Sequence, residues 1–314
     1  MGKLIAFRLL FAVPQLLIVS LVAFSLTYLI PGSPAAAVLG AAATPESIAA
    51  VEAQMGLDRP PLERLAEWMG GLVTGDLGTS LRSGVPVTDL LAQRVPATLS
   101  LVLGGMVVAL VVGVGAGVLT GTRPGTLVDR VLTGGTVVGM AMPEFWLGLL
   151  LTVVFVVQLG WIPVIAWTPL TADPVAWARG LVLPSITLGL AGAAIIARQT
   201  RAAMVKALSA PYTDTLTAAG VSRRRLVGVY GLKNALVPVL ATTGITFAIL
   251  IGASFVVEKV FATPGLGSLM LTSVIGQDFP VVQGVVLLTA VLVVAVNLLL
   301  DLGYGLVNPQ ARPQ

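Results

Sequence analysis

The 314-residue chain is 56% hydrophobic and only 10% charged, with mean hydropathy +0.98, whereas ordinary soluble domains are about 25% charged; it reads as a polytopic membrane protein. Net charge is +4 with a sequence pI near 9.8, and because the basic residues cluster beside apolar runs they point to lipid headgroups and a cytoplasmic partner, with no nucleic acid. The absence of Cys and His excludes disulfides, thiol catalysis, zinc sites of the usual kind and imidazole acid–base chemistry.

Lys3 and Arg8 precede an uncharged apolar run from Leu9 to Ile30, long enough for the roughly 20 residues of a spanning helix. A cleaved signal peptide is the competing reading, since Ala35-Ala36-Ala37 follows, but the apolar core exceeds the usual signal length of about 7–15 residues. Residues 31–95 differ in kind, with seven acids and four Arg and no window apolar enough to span. Thr44-Pro45-Glu46 predicts a helix start, Thr as N-cap and Pro at the first position, with a stop near Gly56. After Asp58-Arg59-Pro60-Pro61, an amphipathic piece carries Leu62, Leu65, Met69 and Leu72 on one side. We expect an external cap of short helices and loops.

Ala97–Thr120 is the second expected span, its Gly113, Gly115 and Gly117 forming a close packing face. Arg123, Asp129 and Arg130 mark a short cytoplasmic turn. The third span, about Val131 to Gln158, contains Pro143-Glu144, and Glu144 is the one carboxylate this reading places inside a span. A charge at mid-membrane costs about 2.5–3.5 kcal/mol on insertion scales, so Glu144 must face protein or water. It either satisfies backbone near Pro143 and the outer boundary or lines a translocation path. Gly160–Gly180, with Trp161, Trp167 and Trp177, reads as an external connection with interfacial aromatics, and Leu181–Ala197 as the fourth span.

Arg198 to Pro238 follows, with seven basic residues against one acid, Asp214. Positive charge resists translocation, which puts this loop in the cytoplasm. It could serve topology alone. Pro211 and Gly220, however, divide it into pieces only a few helical turns long, and short helices tied to spans at both ends make a docking surface. Ala235–Val257 is the fifth span, Glu258 to Pro280 an external segment with Pro264-Gly265-Leu266-Gly267, and Val281–Leu300 the sixth, followed by Asp301 and a short tail. On this topology twelve Lys and Arg lie in cytoplasmic segments and six outside, which fits six spans with both termini inside.

No G-x-x-x-x-G-K-[ST] loop is present, so the chain does not bind ATP through a P-loop, and no span carries the Arg repeat of a voltage sensor. Nucleophile–base and metal-ligating constellations are missing too. The chain is a conduit whose energy must come from a partner. A self-sufficient channel or secondary carrier using Glu144 and Asp301 is the alternative, and scarcity of intramembrane charge counts against it.

Several segments, in order, resemble one family: Ile30-Pro31-Gly32-Ser33-Pro34, Gly56-Leu57-Asp58-Arg59-Pro60, Gly75-Asp76-Leu77-Gly78-Thr79-Ser80, Pro143-Glu144-Phe145-Trp146-Leu147-Gly148, Leu159-Gly160-Trp161-Ile162-Pro163, Val257-Glu258-Lys259-Val260-Phe261 with Pro264-Gly265-Leu266-Gly267, and Asn297-Leu298 with Asp301. The chain is similar over nearly its whole length to permease subunits of binding-protein-dependent ABC importers, in the branch that handles di- and oligopeptides and, in close relatives, nickel. That resemblance implies an all-α type I importer domain. It would comprise an N-terminal span plus external cap (1–93), a transmembrane permease domain (94–303) with a coupling loop (198–234), and a cytoplasmic tail (304–314). The family's cytoplasmic motif is Glu-Ala-Ala, three residues, Gly, nine residues, then an apolar residue, one position and Leu-Pro. Here Asp214 takes the Glu place, Thr215 and Leu216 the Ala places, Gly220 the Gly, and Tyr230, Leu232 and Lys233 the closing positions, so the motif is degenerate.

By resemblance, Tyr212, Asp214, Thr215, Leu216, Thr217, Ala218, Ala219, Gly220, Val221, Ser222 and Arg223 form a coupling helix and its exit, seated in a groove of a cytoplasmic ATPase. The partners so implied are a second, homologous permease subunit, two ATPase subunits or domains that use ATP and Mg, an extracytoplasmic substrate-binding protein and membrane lipid. The chain itself would hold no cofactor and would lie in the bacterial cytoplasmic membrane. Peptide is the expected cargo, with nickel or another chelate as the alternative.

Overall fold

The computed structural model describes residues 2–29, 33–40, 43–54, 56–162 and 167–307. Ile30–Gly32 and Pro163 of the motifs above, and the tail from 308 onward, lie outside the described residues. The elements are α1 (Gly2–Leu29), α2 (Pro34–Leu39), α3 (Pro45–Gln54), α4 (Pro61–Thr74), α5 (Val87–Gly121), α6 (Leu127–Ala141), α7 (Glu144–Leu151), α8 (Pro174–Leu208), α9 (Pro211–Ala218), α10 (Arg223–Arg225), α11 (Leu232–Val260), α12 (Leu266–Ile275) and α13 (Phe279–Val307). Two π-helical stretches, Thr152–Gln158 after α7 and Leu226–Gly231 before α11, continue their helices without a break. Among the described residues five helices are long and apolar enough to cross a membrane, and six crossings result if α6 and α7, bent by 104°, count as one. The fold is all-α; among the described residues the one β pairing is an isolated bridge, Thr79 to Pro86.

Packing groups the chain into two compact units that interleave along the sequence. One comprises 9–96 and 264–292. In it, α3 starts at Pro45 with the Thr44 hydroxyl accepting the Ser47 N–H (3.2 Å), and α4 starts at Pro61 and ends at Gly75, φ +81°. Both starts follow the expected chemistry of Pro at the first position. The helix α2 was not anticipated; the Ser33 hydroxyl caps it, accepting from the Ala36 N–H while donating to Glu52 (2.6 Å). Asp278 is buried and organises the Gly78–Pro86 hairpin, accepting from the Ser80 hydroxyl and the Leu81 N–H. Gln283 donates to Thr27 at 3.0 Å, and Phe24 packs on both Tyr28 and Trp68.

The other unit comprises 1–8, 97–263 and 293–314, with α8 at its centre: 67% of that helix's apolar stretch is buried. Its contact with α5 is a seam of small residues. Gly105, Ala109, Gly113, Gly117 and Gly121 recur every fourth residue and so share one face of α5. Ser185, Gly189, Ala193 and Ala197 do the same on α8. A methyl on Gly113 would stand 2.8 Å from the Ala193 carbonyl and 2.8 Å from Ile196 Cβ, and one on Gly189 would stand 2.5 Å from the Gly105 carbonyl. Gly115, two residues from Gly113, points away from the seam with nothing within 4 Å; the expectation that all three glycines share one packing face is corrected, since two residues turn a helix by about 200°. Ile196, Phe247, Leu250, Ile251 and Val257 fill the core where α8 meets α11.

Several boundaries differ from the expected ones. The helix of the expected second span, α5, begins at Val87, ten residues before Ala97, and runs on through Pro96. The fourth begins at Pro174 on the Asp173 cap, which accepts from the Val175 and Ala176 N–H groups, so Trp177 lies on a helix and not in a connection, its ring N–H donating to Ser100. The expected third span, Val131 to Gln158, is two helices broken at Pro143. Glu258, expected in an external segment, lies in the last turn of α11, fully buried and accepting from the Thr98 hydroxyl at 2.6 Å. Glu144 is therefore not the one carboxylate in an apolar helix. The last helix runs to Val307, beyond the expected start of the tail at 304.

Candidate functional site

The basic segment expected in the cytoplasm is built at the end of α8. Arg198, Arg201 and Lys206, expected in a loop, ride on α8 itself, which ends at Leu208 with the Ser209 N–H bonded to the Val205 carbonyl. Ala210 then adopts extended backbone and Pro211 opens α9 at its first position, where the missing N–H costs nothing. The helix α9 has eight residues. Its stop is Gly220, φ +80°, a left-handed turn that relieves the last carbonyls: the Gly220 N–H bonds the Thr217 carbonyl (3.0 Å) and the Val221 N–H the Leu216 carbonyl (3.0 Å).

This short helix is exposed on nearly every side yet fixed at its base. Thr213 is buried, its hydroxyl donating to the Leu208 and Ala210 carbonyls. The Tyr212 hydroxyl donates to the Ala207 carbonyl (2.9 Å) and accepts from Asn234 (3.1 Å), which ties α9 to the end of α8 and the start of α11. Asp214, Thr215, Thr217, Ala218, Ala219, Gly220, Ser222 and Arg223 are exposed, while Leu216 and Val221 are half-buried. The expected coupling residues thus form one continuous projection, except that the Tyr212 hydroxyl is committed inward. Arg223, exposed like Arg224 and Arg225, also donates to the Thr122 carbonyl (3.0 Å).

Sequence reading missed the support beneath this projection. Arg201 grips Asp129 with two parallel bonds, Nε to Oδ1 at 2.7 Å and Nη2 to Oδ2 at 2.8 Å, and Asp129 is buried at 4% exposure. The bidentate geometry is the strong form of such a pair. Spacing could not reveal it, because the partners lie 72 residues apart. Glu144 is elsewhere, the first residue of α7 and half-buried, its carboxylate at the positive end of that helix.

The family described as binding-protein-dependent transport system inner membrane component matches residues 113–313, and the model of its N-terminal region matches residues 1–102. The chain belongs to this family. Related permeases include a peptide transport system permease of Brucella abortus (strain 2308), 36% identical over 99% of both chains, and the glutathione transport system permease GsiC of Escherichia coli (strain K12), 40% identical over 97% of both. In fold the permease is similar to a chain of the inward-facing MetNI methionine ABC transporter, with TM-score 0.57 and 23% identity over 70% of this chain and 97% of that one. The permease is thus an ABC importer permease subunit, a multi-pass inner-membrane protein of a family that works with an ABC ATPase and a substrate-binding protein.

Proposed function

We propose that the permease carries di- or oligopeptides across the cytoplasmic membrane, driven by a pair of cytoplasmic ATPase subunits or domains that dock on α9. The observation that carries this reading is α9 itself: an eight-residue helix exposed along its length, braced at its base by Tyr212 and Thr213, and closed by a glycine in the left-handed region. Such a piece transmits force as a rigid body between two discrete states. ATP and Mg act in the partner subunits, which carry the hydrolysis; this chain positions and moves. A second, homologous permease subunit forms the other half of the path, and an extracytoplasmic binding protein delivers cargo to the 31–95 cap. Both termini lie in the cytoplasm. The names of the relatives in Brucella abortus and Escherichia coli support peptide as the cargo class, and Glu144, at the bend between α6 and α7, supplies a carboxylate to the translocation path.

Purifying the tagged chain from its native membrane tests the assembly: a second permease-like chain with one or two ATPases is expected, and recovery of the chain alone refutes it. Gly220→Val tests the docking assignment. Its φ of +80° costs a side-chain-bearing residue about 1–2 kcal/mol, enough to distort the end of α9 without disturbing insertion. Peptide uptake is expected to fall while ATP hydrolysis persists; unchanged coupling of the two sinks the assignment.

A further inference from the structure

Around Asp129 the structure builds a node whose purpose the docking helix does not explain. The 122–126 turn between α5 and α6 is held to the neighbouring elements at three points. Asp129 Oδ2 accepts the Gly125 N–H (2.9 Å), Gly125 itself being left-handed at φ +78°. Asp129 Oδ1 accepts the Thr133 hydroxyl (3.2 Å), and the Asp129 N–H is capped by Thr126 (3.3 Å). Both carboxylate oxygens also accept from Arg201 of α8, and Arg223, just past the docking helix, holds the Thr122 carbonyl. The carboxylate is saturated and buried, and its orientation is set by bonds from three directions.

Position gives this node its meaning. Arg201 lies two turns before the end of α8, and Ala207, to which Tyr212 of α9 is bonded, is the next to last residue of that helix. Between them Met204 is fully buried, in contact range of Gly121 on one side and Gly231 on the other. Any displacement of α9 therefore reaches α8 through Tyr212 and Thr213, and reaches the first turn of α6 through Arg201 and Asp129. The far end of α6 is the 104° bend at Pro143, next to Glu144. A planar guanidinium held by two bonds resists rotation as well as stretching, which a single contact does not.

We propose that the Asp129–Arg201 pair is the strut that carries movement of the docking helix into α6 and so to the bend at Pro143, acting as a positioning pair for transport rather than as a contact to cargo or ATPase. It rests on the reading of α9 as the ATPase-docking helix. Packing alone, without the ion pair, is the competing explanation for any movement of α6.

The chain has no cysteine, so cysteine pairs introduced into it are labelled specifically in the full complex once the partner permease and ATPases are made cysteine-free. Spin labels at Val137 on α6 and at Thr215 on α9 are each measured against Val175 on α8, all three exposed positions, with and without ATP plus vanadate. Nucleotide should shift both distances in the wild type. In Asp129→Asn the α9 shift should persist while the α6 shift falls to about half or less, with Arg201→Lys intermediate. An undiminished α6 shift in Asp129→Asn overturns the proposal. Absence of the α9 shift in the wild type refutes the docking reading itself, a separate failure. Should Asp129→Asn fail to assemble, Arg201→Lys decides: it retains both charges but loses the two-bond geometry, and an undiminished α6 shift overturns the strut.

Discussion

The glycine seam permits a prediction with a built-in control two residues away. In Gly113→Ala the new methyl meets the Ala193 carbonyl oxygen and Ile196 Cβ at 2.8 Å, and the first of these is backbone that no rotamer change can withdraw. Ordinary contact begins at 3.4 Å, so α5 and α8 must part by about 0.6 Å, at a point where a methyl on Gly117 would likewise stand only 2.7 Å from the Ala197 carbonyl. Overpacking of this kind costs about 1–3 kcal/mol, offset by the roughly 0.5–1 kcal/mol that Ala gains over Gly in a helix interior; a net loss of about 1 kcal/mol follows, and at most about 2.5. In Gly115→Ala nothing lies within 4 Å of the new methyl, so only the gain of about 0.5–1 kcal/mol remains. The two variants should therefore fall on opposite sides of the wild type in thermal unfolding of the purified chain in detergent, followed by tryptophan fluorescence. Equal midpoints for the two, or a Gly113→Ala midpoint at or above wild type, would refute the seam as the contact that holds α5 to α8.

Thr98→Val removes the hydroxyl that donates to buried Glu258 across 160 residues of sequence; a loss of about 1–2 kcal/mol is expected in the same unfolding assay, with Thr98→Ser close to wild type, and equal effects of the two would show that the bond contributes nothing. Asp278→Ala frees both the Ser80 hydroxyl and the Leu81 N–H. Limited proteolysis should then cut within 79–86 faster than in the wild type, and an unchanged cleavage rate would mean that the hairpin does not depend on Asp278.

Local chemistry was legible wherever one residue type decides the outcome. Pro45 and Pro211 open helices, and Gly220 closes one, because the cyclic side chain and the missing Cβ act on their own backbone. The apolar runs located the membrane helices but not their ends: α5 and α8 extend ten and seven residues beyond the expected starts at Ala97 and Leu181, since a polar turn outside the apolar stretch can continue a helix when its own bonds are satisfied. Pro143 was visible, but a proline announces a break and not its angle. The buried carboxylates with long-range partners, Asp129 with Arg201, Glu258 with Thr98 and Asp278 with Ser80, were beyond reach, because pairing across 72, 160 or 198 residues leaves no periodic trace. The seam was a partial success: the every-fourth-residue series on α5 stood in the sequence, but grouping Gly115 with Gly113 obscured it, and the matching series on α8 shows its purpose only once the two are side by side.

The π-helical stretch at Leu226–Gly231 has a bearing on how this chain tolerates insertions and deletions. Its bonds run from residue i to i+5, so it accommodates one residue more than an α-helical path between the same ends. Removing a residue from within α11 would rotate everything on one side of the cut by about 100° and turn core positions such as Phe247 and Ile251 out of register. Removing one from Leu226–Gly231, Val229 for instance, which is exposed, lets the stretch tighten to α-helix with the faces on either side unmoved. Variation in chain length between the basic segment and the apolar part of α11 thus has an outlet inside a continuous helix, with no loop needed to absorb it.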